Sequence, residues 1–290
     1  MRPSLAHRAA AFVRLTHPFP SLLNGVATAL IALLAGAGPA TAGRLGLAMA
    51  LLQFAIGSAN DIVDARRDAG RPDKPIASGL IGREAAVSAA VAFAAGGLVL
   101  SAPSGAATVA VAMLGLAVGL AYDLRFRGTA ASWLPFAVGI PLLPVYAWLG
   151  ATGGLPAGFL VLVPTAVVAG AALAVANALA DIEVDRRAEA GSVALALGSQ
   201  RAWRVHVVLL GLASVVAVAS IPVLAGMGER EVASPSVLAG AAVALAGVAL
   251  IAGGALLARD ARTVARGWEV EAVGLTAVAV GWLLGVNLGP

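Results

Sequence analysis

The sequence predicts an all-α, polytopic membrane protein, on three observations. Of its 290 residues, 60% are hydrophobic and 12% charged. A soluble domain carries about 25% charged residues, so lipid must be the solvent for much of this surface. The apolar residues also fall into nine runs, each near the roughly 20 residues that carry a helix across a bilayer. Finally, an isolated strand would leave its backbone groups unpaired in lipid, so every run is expected to be helical.

In chain order the runs cover about 19–36, 44–60, 83–101, 106–122, 132–150, 157–180, 202–226, 235–258 and 270–288. A basic arm, MRPSLAHRAAAFVRLTHPFP, precedes the first. Eight further runs follow and no small-residue cleavage site stands out, so the first run is expected to stay as a span and not to be a removed signal peptide. Pro141, Pro144, Pro164 and Pro222 fall inside runs and mark expected kinks. Abundant Gly and Ala suit close helix packing in a membrane. Trp133, Trp148, Trp203, Trp268 and Trp282 lie near run ends, where interfacial belts are expected. His7, His17 and His206 lack metal-ligand spacing and read as interfacial.

The formal charge of +4 raises the question of a nucleic-acid partner. The charges lie in short connections between apolar runs, so they read as membrane topology, with no nucleic acid. Placing the N-terminus in the cytoplasm puts the connections 61–82, 123–131, 181–201 and 259–269 on that face. All but Arg44 and Arg230 of the 19 Lys and Arg residues then fall on the cytoplasmic side. There is no cysteine, which excludes disulfides, thiolate zinc sites and a cysteine nucleophile.

Two acidic segments end the second and sixth runs. The first is Asn60-Asp61-Ile62-Val63-Asp64-Ala65-Arg66-Arg67-Asp68; the second is Asn177-Ala178-Leu179-Ala180-Asp181-Ile182-Glu183-Val184-Asp185. In each, an Asn is followed by carboxylates four and eight positions on. Continued as helix, these positions share a face. The Asn residues stand 117 positions apart, about four spans, which suggests a parallel duplication. The expected architecture is one domain over 1–290: nine transmembrane helices as two quasi-equivalent four-helix halves plus one, around a central cavity.

Carboxylates crowded into a partly dry cavity stay ionised only beside cations. Carboxylates plus an Asn amide oxygen are hard ligands, the preference of magnesium, which binds through one or two carboxylates plus phosphate oxygens. Asn60, Asp61, Asp64, Asp68, Asp181 and Asp185 are therefore candidate magnesium ligands around a diphosphate, with Asn177 beside the second set. Arg71, Lys74, Arg125 and Arg127 are candidate phosphate contacts. Arg66, Arg67, Arg186 and Arg187 serve equally as topology anchors. Glu183 turns away from its ladder and is expected to pair with a neighbouring Arg; Asp73 and Glu189 read as caps or salt bridges.

The arrangement resembles the UbiA superfamily of intramembrane prenyltransferases, over essentially the whole chain. NDIVDARRD at 60–68 and DIEVD at 181–185 resemble that family's NDxxDxxxD and DxxxD motifs. RPDKPIASG at 71–79 is similar to the tail of its first motif, with Lys74 at the basic position. YDLRFRG at 122–128 is similar to its Tyr-to-Lys segment closing span 4, with Arg in place of Lys; AGSVALALG at 190–198 resembles its Gly-x-x-Thr-Leu stretch. Two positions depart: Ala178 stands where many members carry Asp, and Val193 near the family's Thr.

The resemblance implies transfer of a prenyl group from a polyprenyl diphosphate, in the membrane and with magnesium, to a hydrophobic or aromatic acceptor. Asp61, Asp64, Asp68, Asp181 and Asp185 form the catalytic acid set. Tyr122 joins Asn60, Asn177 and the basic residues in substrate binding. Asp123 either orients the acceptor or takes its proton, or else pairs with Arg125. A membrane terpene cyclase and a polyprenyl-phosphate phosphoribosyltransferase of the same superfamily are the alternatives.

Overall fold

Each apolar run is helical in a computed structural model of the chain, which describes residues 4–228 and 231–288. Arg230, one of the two basic residues expected on the far side, lies outside them. The elements are α1 (Leu5–Leu15), α2 (Pro18–Leu34), α3 (Pro39–Asp64), α4 (Arg83–Ser101), α5 (Ala106–Ala121), α6 (Leu134–Thr152), α7 (Phe159–Ala180), α8 (Ile182–Arg187), α9 (Val193–Leu197), α10 (Ser199–Met227), α11 (Pro235–Leu257) and α12 (Val264–Val286). Among the described residues there is no strand. Eight helices are long and apolar enough to cross a membrane, and a ninth span is reached if α1 and α2 are one span bent by 57°.

That bend was not expected. The basic arm is itself a helix, started by the Ser4 hydroxyl accepting from the His7 amide. It stops at Thr16 and His17, and α2 restarts at Pro18, where the missing amide proton of proline costs nothing. His17 adopts φ +46°, and Ser21 Oγ donates to the Thr16 carbonyl at 2.9 Å, so the break is hydrogen-bonded. α5 runs into a π turn at Tyr122–Phe126, a wider turn with i→i+5 bonds that is frequent at functional sites.

The chain forms two compact units. The first comprises 1–33, 37–125 and 145–153; the second comprises 34–36, 126–144 and 154–290. The expected halves would have divided the chain between the fourth and fifth spans. The main division falls there, between 125 and 126, but the C-terminal half of α6, from 145 to 153, returns to the first unit. The physical reason is the company that each half of α6 keeps. Its C-terminal half is bound to the first unit: the Tyr146 and Ser101 hydroxyls lie 2.7 Å apart, Ser104 Oγ donates to the Gly150 carbonyl, and Leu45 packs on Gly150. Its N-terminal half lies so close to α7 that Gly170 sits directly on the Phe136 carbonyl.

In the first unit, α1 lies over the connection after α3. Ala11 and Leu15 of α1, Ile81 and Ala86 form a buried cluster flanked by Ile62, Ile76 and Leu80. Arg44 does not face open solvent: it donates to the Leu100 carbonyl and to Ser104 Oγ, using cations where α4 exposes its last carbonyls.

In the second unit, α11 and α12 are antiparallel with glycine at every seventh residue of each. Gly254 meets Gly267, Gly247 meets Gly274, and Gly240 meets Gly281; a methyl group on Gly247 would stand 2.6 Å from the Gly274 carbonyl oxygen. Small residues let two backbones approach where lipid supplies no hydrophobic drive. Two expectations fail. Trp148 of the first unit and Trp282 of the second are fully buried in protein, not interfacial; the Trp282 indole donates to Ser220 Oγ at 2.8 Å. His206 is also buried, 3.2 Å from an equally buried Glu271. A polar tip that finds a partner within the bundle is not held at the membrane surface.

Candidate active site

The first acidic segment ends α3. Asp61 and Asp64 are its last-turn residues, and both are buried. The helix proper stops there, but the Asp68 amide still donates to the Asp64 carbonyl at 2.8 Å. One more turn of helix-like chain thus delivers Asp68, also buried, to the same end. The three acids of the segment are thus all buried, with Asp68 beyond the end of the helix.

Cations meet these acids. Lys74 Nζ donates to Asp61 Oδ1 at 2.9 Å and stands 3.4 Å from Asp68 Oδ2. It spans the first and last rungs. Arg71 Nη1 donates to Asp68 at 3.2 Å, and its Nη2 to the exposed Asp73 at 2.7 Å. The hydrogen bond from Arg71 holds the Asp73 carboxyl below its ordinary range, and the same bond raises the guanidinium. The connection that supplies Lys74 and Arg71 turns at Gly70 and Gly79, both at positive φ, and is packed down by α1 through Ile76 and Ile81.

Two further residues reach the segment from distant sequence. Asn60 Nδ2 donates to Asp123 Oδ1 at 2.8 Å. Asp123 is buried in the π turn, and it is Asn60 that it receives, while Arg125 is exposed. Because the Asn60 amide nitrogen is committed to Asp123, its amide oxygen is the end left to act as a ligand. The second residue is His17, read from sequence as interfacial. Its Nε2 lies 3.1 Å from Asp61 Oδ1; an ionised carboxylate only accepts, so the ring nitrogen donates. A non-glycine residue at positive φ costs on the order of 1–3 kcal/mol and persists where its surroundings over-determine it. Gly57 is part of those surroundings: a Cβ there would stand 3.1 Å from both His17 Cβ and the Thr16 carbonyl oxygen.

The second segment is built differently. α7 ends at Ala180, Asp181 takes φ −96° and ψ 3°, and the short α8 follows. The i-to-i−4 amide bonds continue across the break, from Asp181 to the Asn177 carbonyl at 3.3 Å and from Asp185 to the Asp181 carbonyl at 2.8 Å. Asp185 is buried, while the Asp181 side chain is 42% exposed, with Arg127 Nη2 3.6 Å from its Oδ2. Glu183 pairs with Arg186, as expected. Asn177 is half-buried in the last turns of α7, and Tyr122 is half-buried at the start of the π turn.

Both departures from the family pattern have one physical setting. Ala178 and Val193 are members of the same buried apolar cluster, with Val175, Leu179, Ala194 and Ala202. That cluster seats α9 on α7, and a carboxylate at 178 would lie inside it.

Among the described residues, no three His, Cys, Asp or Glu side chains gather closely enough to enclose a metal by themselves. Lys74 lies between Asp61 and Asp68, and Arg71 takes up Asp68 from its other side. What remains is hard oxygen donors, buried and paired with cations, one or two per ion. That set fits magnesium, which completes its shell with water and phosphate oxygens.

Comparison with known proteins gives a consistent picture. The sequence profile of the UbiA prenyltransferase family matches residues 21–253. Digeranylgeranylglyceryl phosphate synthase of Methanoculleus marisnigri is 31% identical over 122 residues, 41% of this chain and 43% of that protein; the chain thus spans under half the length of that relative. A UbiA homologue from Archaeoglobus fulgidus, solved bound to GPP and Mg2+, superposes with a TM-score of 0.70 at 18% identity, over 94% of this chain and 99% of that one. The apo UbiA homologue from Aeropyrum pernix K1 superposes with a TM-score of 0.67 at 19% identity, over 90% and 96%.

Proposed function

The chain belongs to the UbiA prenyltransferase family, an integral multi-pass membrane family, and from that premise we propose that it transfers a prenyl group from a prenyl diphosphate to a hydrophobic acceptor, releasing diphosphate. The observation that carries this reading is the first acidic segment: three buried carboxylates at one helix end, with Lys74 spanning two of them. Residues 1–290 act as one domain, with the N-terminus and both acidic segments at the cytoplasmic face. The placement of Lys and Arg supports that orientation.

The magnesium ligands are drawn from Asn60, Asp61, Asp64 and Asp68 in the first segment and Asp181 and Asp185 in the second. Bound magnesium neutralises the departing diphosphate and so favours cleavage of the allylic C–O bond. The chain's own groups do the rest. Lys74 and Arg71 hold the acidic segment together and offer N–H donors to phosphate oxygens. Arg125, exposed in the π turn, and Arg127 are further donors of that kind. Tyr122 and Asn177, each half-buried, are further substrate-binding residues on this reading. Apolar helices keep water from the allylic cation. The Archaeoglobus homologue bound to GPP and Mg2+ supports both the donor class and the metal.

The acceptor has two readings. An electron-rich aromatic ring is a good trap for an allylic cation. The match to a digeranylgeranylglyceryl phosphate synthase favours an alcohol on a prenylated glyceryl phosphate. The deciding experiment incubates purified protein with prenyl diphosphates of graded length, Mg2+, and both acceptor classes, and identifies products by mass spectrometry. Prenylated product and diphosphate in equal amounts are expected. Diphosphate release with no acceptor, together with a cyclic hydrocarbon or alcohol, would replace this reading with a terpene cyclase; no release with any donor would end it.

A further inference from the structure

We infer that His17, at the break between α1 and α2, is a positioning residue that sets the orientation of the Asp61 carboxylate for metal binding. The inference rests on the proposed magnesium reading and adds a residue to it. Three observations carry it. The His17 Nε2–H donates to Asp61 Oδ1 at 3.1 Å, from 44 positions away in the chain. The residue holds a left-handed backbone, φ +46°, a region that only a few per cent of non-glycine residues occupy and that glycine takes most readily. And the break is fixed on both sides: Ser21 Oγ holds the Thr16 carbonyl, and Gly57 of α3 packs against it so closely that a Cβ there would stand 3.1 Å from the His17 Cβ.

The packing therefore maintains an unfavourable backbone whose product is one side-chain hydrogen bond to the first acid of the segment. Lys74 reaches the same oxygen, Oδ1, at 2.9 Å. Two donors on Oδ1 fix the carboxylate plane, which a single flexible ammonium does not do. Partners that orient a ligand in this way typically contribute about 10–100-fold to metal affinity.

The strain makes a clean test available. His17→Gly removes the donor and places in the left-handed backbone the residue best suited to it, so the fold should be unharmed. Mn2+ binding is measured by electron paramagnetic resonance on full-length protein in detergent, with and without inorganic diphosphate, beside thermal unfolding of the same samples. For His17→Gly the expected result is an unchanged or raised Tm and Mn2+ affinity lower by about tenfold or more. His17→Gln, which restores an N–H donor, should recover most of that loss. Unchanged affinity in His17→Gly, with wild type binding Mn2+, overturns the inference and leaves the function standing. A lowered Tm with equal loss in both variants also overturns it, assigning His17 a purely structural part. Absence of Mn2+ binding by wild type, with diphosphate present, removes the metal reading and this inference with it.

Discussion

The two acidic segments are near copies in sequence and unlike in structure. In the first, α3 runs unbroken to Asp64, all three Asp side chains are buried, and Lys74, Arg71, His17 and Asp123 attach to Asn60, Asp61 and Asp68. In the second, the helix breaks at Asp181, which is open to solvent and meets Arg127 at 3.6 Å. The position one turn before it is Ala178, enclosed by Val175, Leu179 and Val193. The difference teaches that a repeated motif repeats its ligands and not their support. A duplicated segment inherits its spacing from sequence, while its partners come from whatever the surrounding chain packs against it.

The comparison breaks soonest at the acids themselves. Asp64→Ala and Asp185→Ala should each abolish turnover, by about 100-fold or more if each removes charge stabilisation of the leaving group, while the protein still inserts and folds. Diphosphate release measures this; activity retained in both variants would mean that neither segment is the site. Lys74→Ala should come next. It strips a cation from two buried carboxylates, a change of the kind that costs about 3–5 kcal/mol, and should lower Tm in metal-free protein and weaken the donor's KM. A Tm as high as wild type would show that the first segment is no better supported than the second.

Ala178→Asp tests the same contrast from the other side. If the second segment is only missing a ligand, the variant gains Mn2+ affinity. We expect instead that a carboxylate placed in the apolar cluster of Val175, Leu179 and Val193 lowers Tm, by an amount set by burial of an unpaired polar group, about 1–3 kcal/mol or more. Arg127→Ala should change Tm by less than about 1 kcal/mol, because its partner is exposed; a larger loss would show that the second segment is held more firmly than its open geometry implies.

The smallest effect belongs to Asp73. Its carboxyl is held below the ordinary range by Arg71, so the pair's contribution is present above the usual carboxylate pKa and is lost as pH falls through the lowered value. Asp73→Asn should remove that acid-side dependence and change stability by under about 1 kcal/mol. Thermal scans between neutral pH and about pH 3, spanning the carboxylate range, would reveal it; a steeper dependence would place Arg71 among the main supports of Asp68.

Much of the site was legible in advance for a definite reason. Span limits came from the length of apolar runs, and the acids came from spacing, both local properties of the chain. Lys74 followed from its place thirteen residues after Asp61. His17 was missed because its partner lies 44 positions away and a lone histidine carries no spacing signal. The pairing of Asn60 with Asp123, 63 positions on, likewise depends on how α3 meets the π turn. The sevenfold glycine pattern of α11 and α12 was present to be read, since Gly240, Gly247, Gly254, Gly267, Gly274 and Gly281 stand in the sequence, but glycine abundance alone hides it.

What the sequence by itself determined is the solvent, the helices and the chemical character of the site. Lipid forces apolar runs into helices, and a carboxylate is a hard, anionic ligand wherever it is placed. Only the tertiary structure decided which carboxylates are supported, that α1 and α2 meet at a bend, that α6 is divided between two units, and that His17 reaches Asp61. These depend on contacts between residues far apart in the chain, and no local pattern encodes the distance at which two packed helices bring their side chains together.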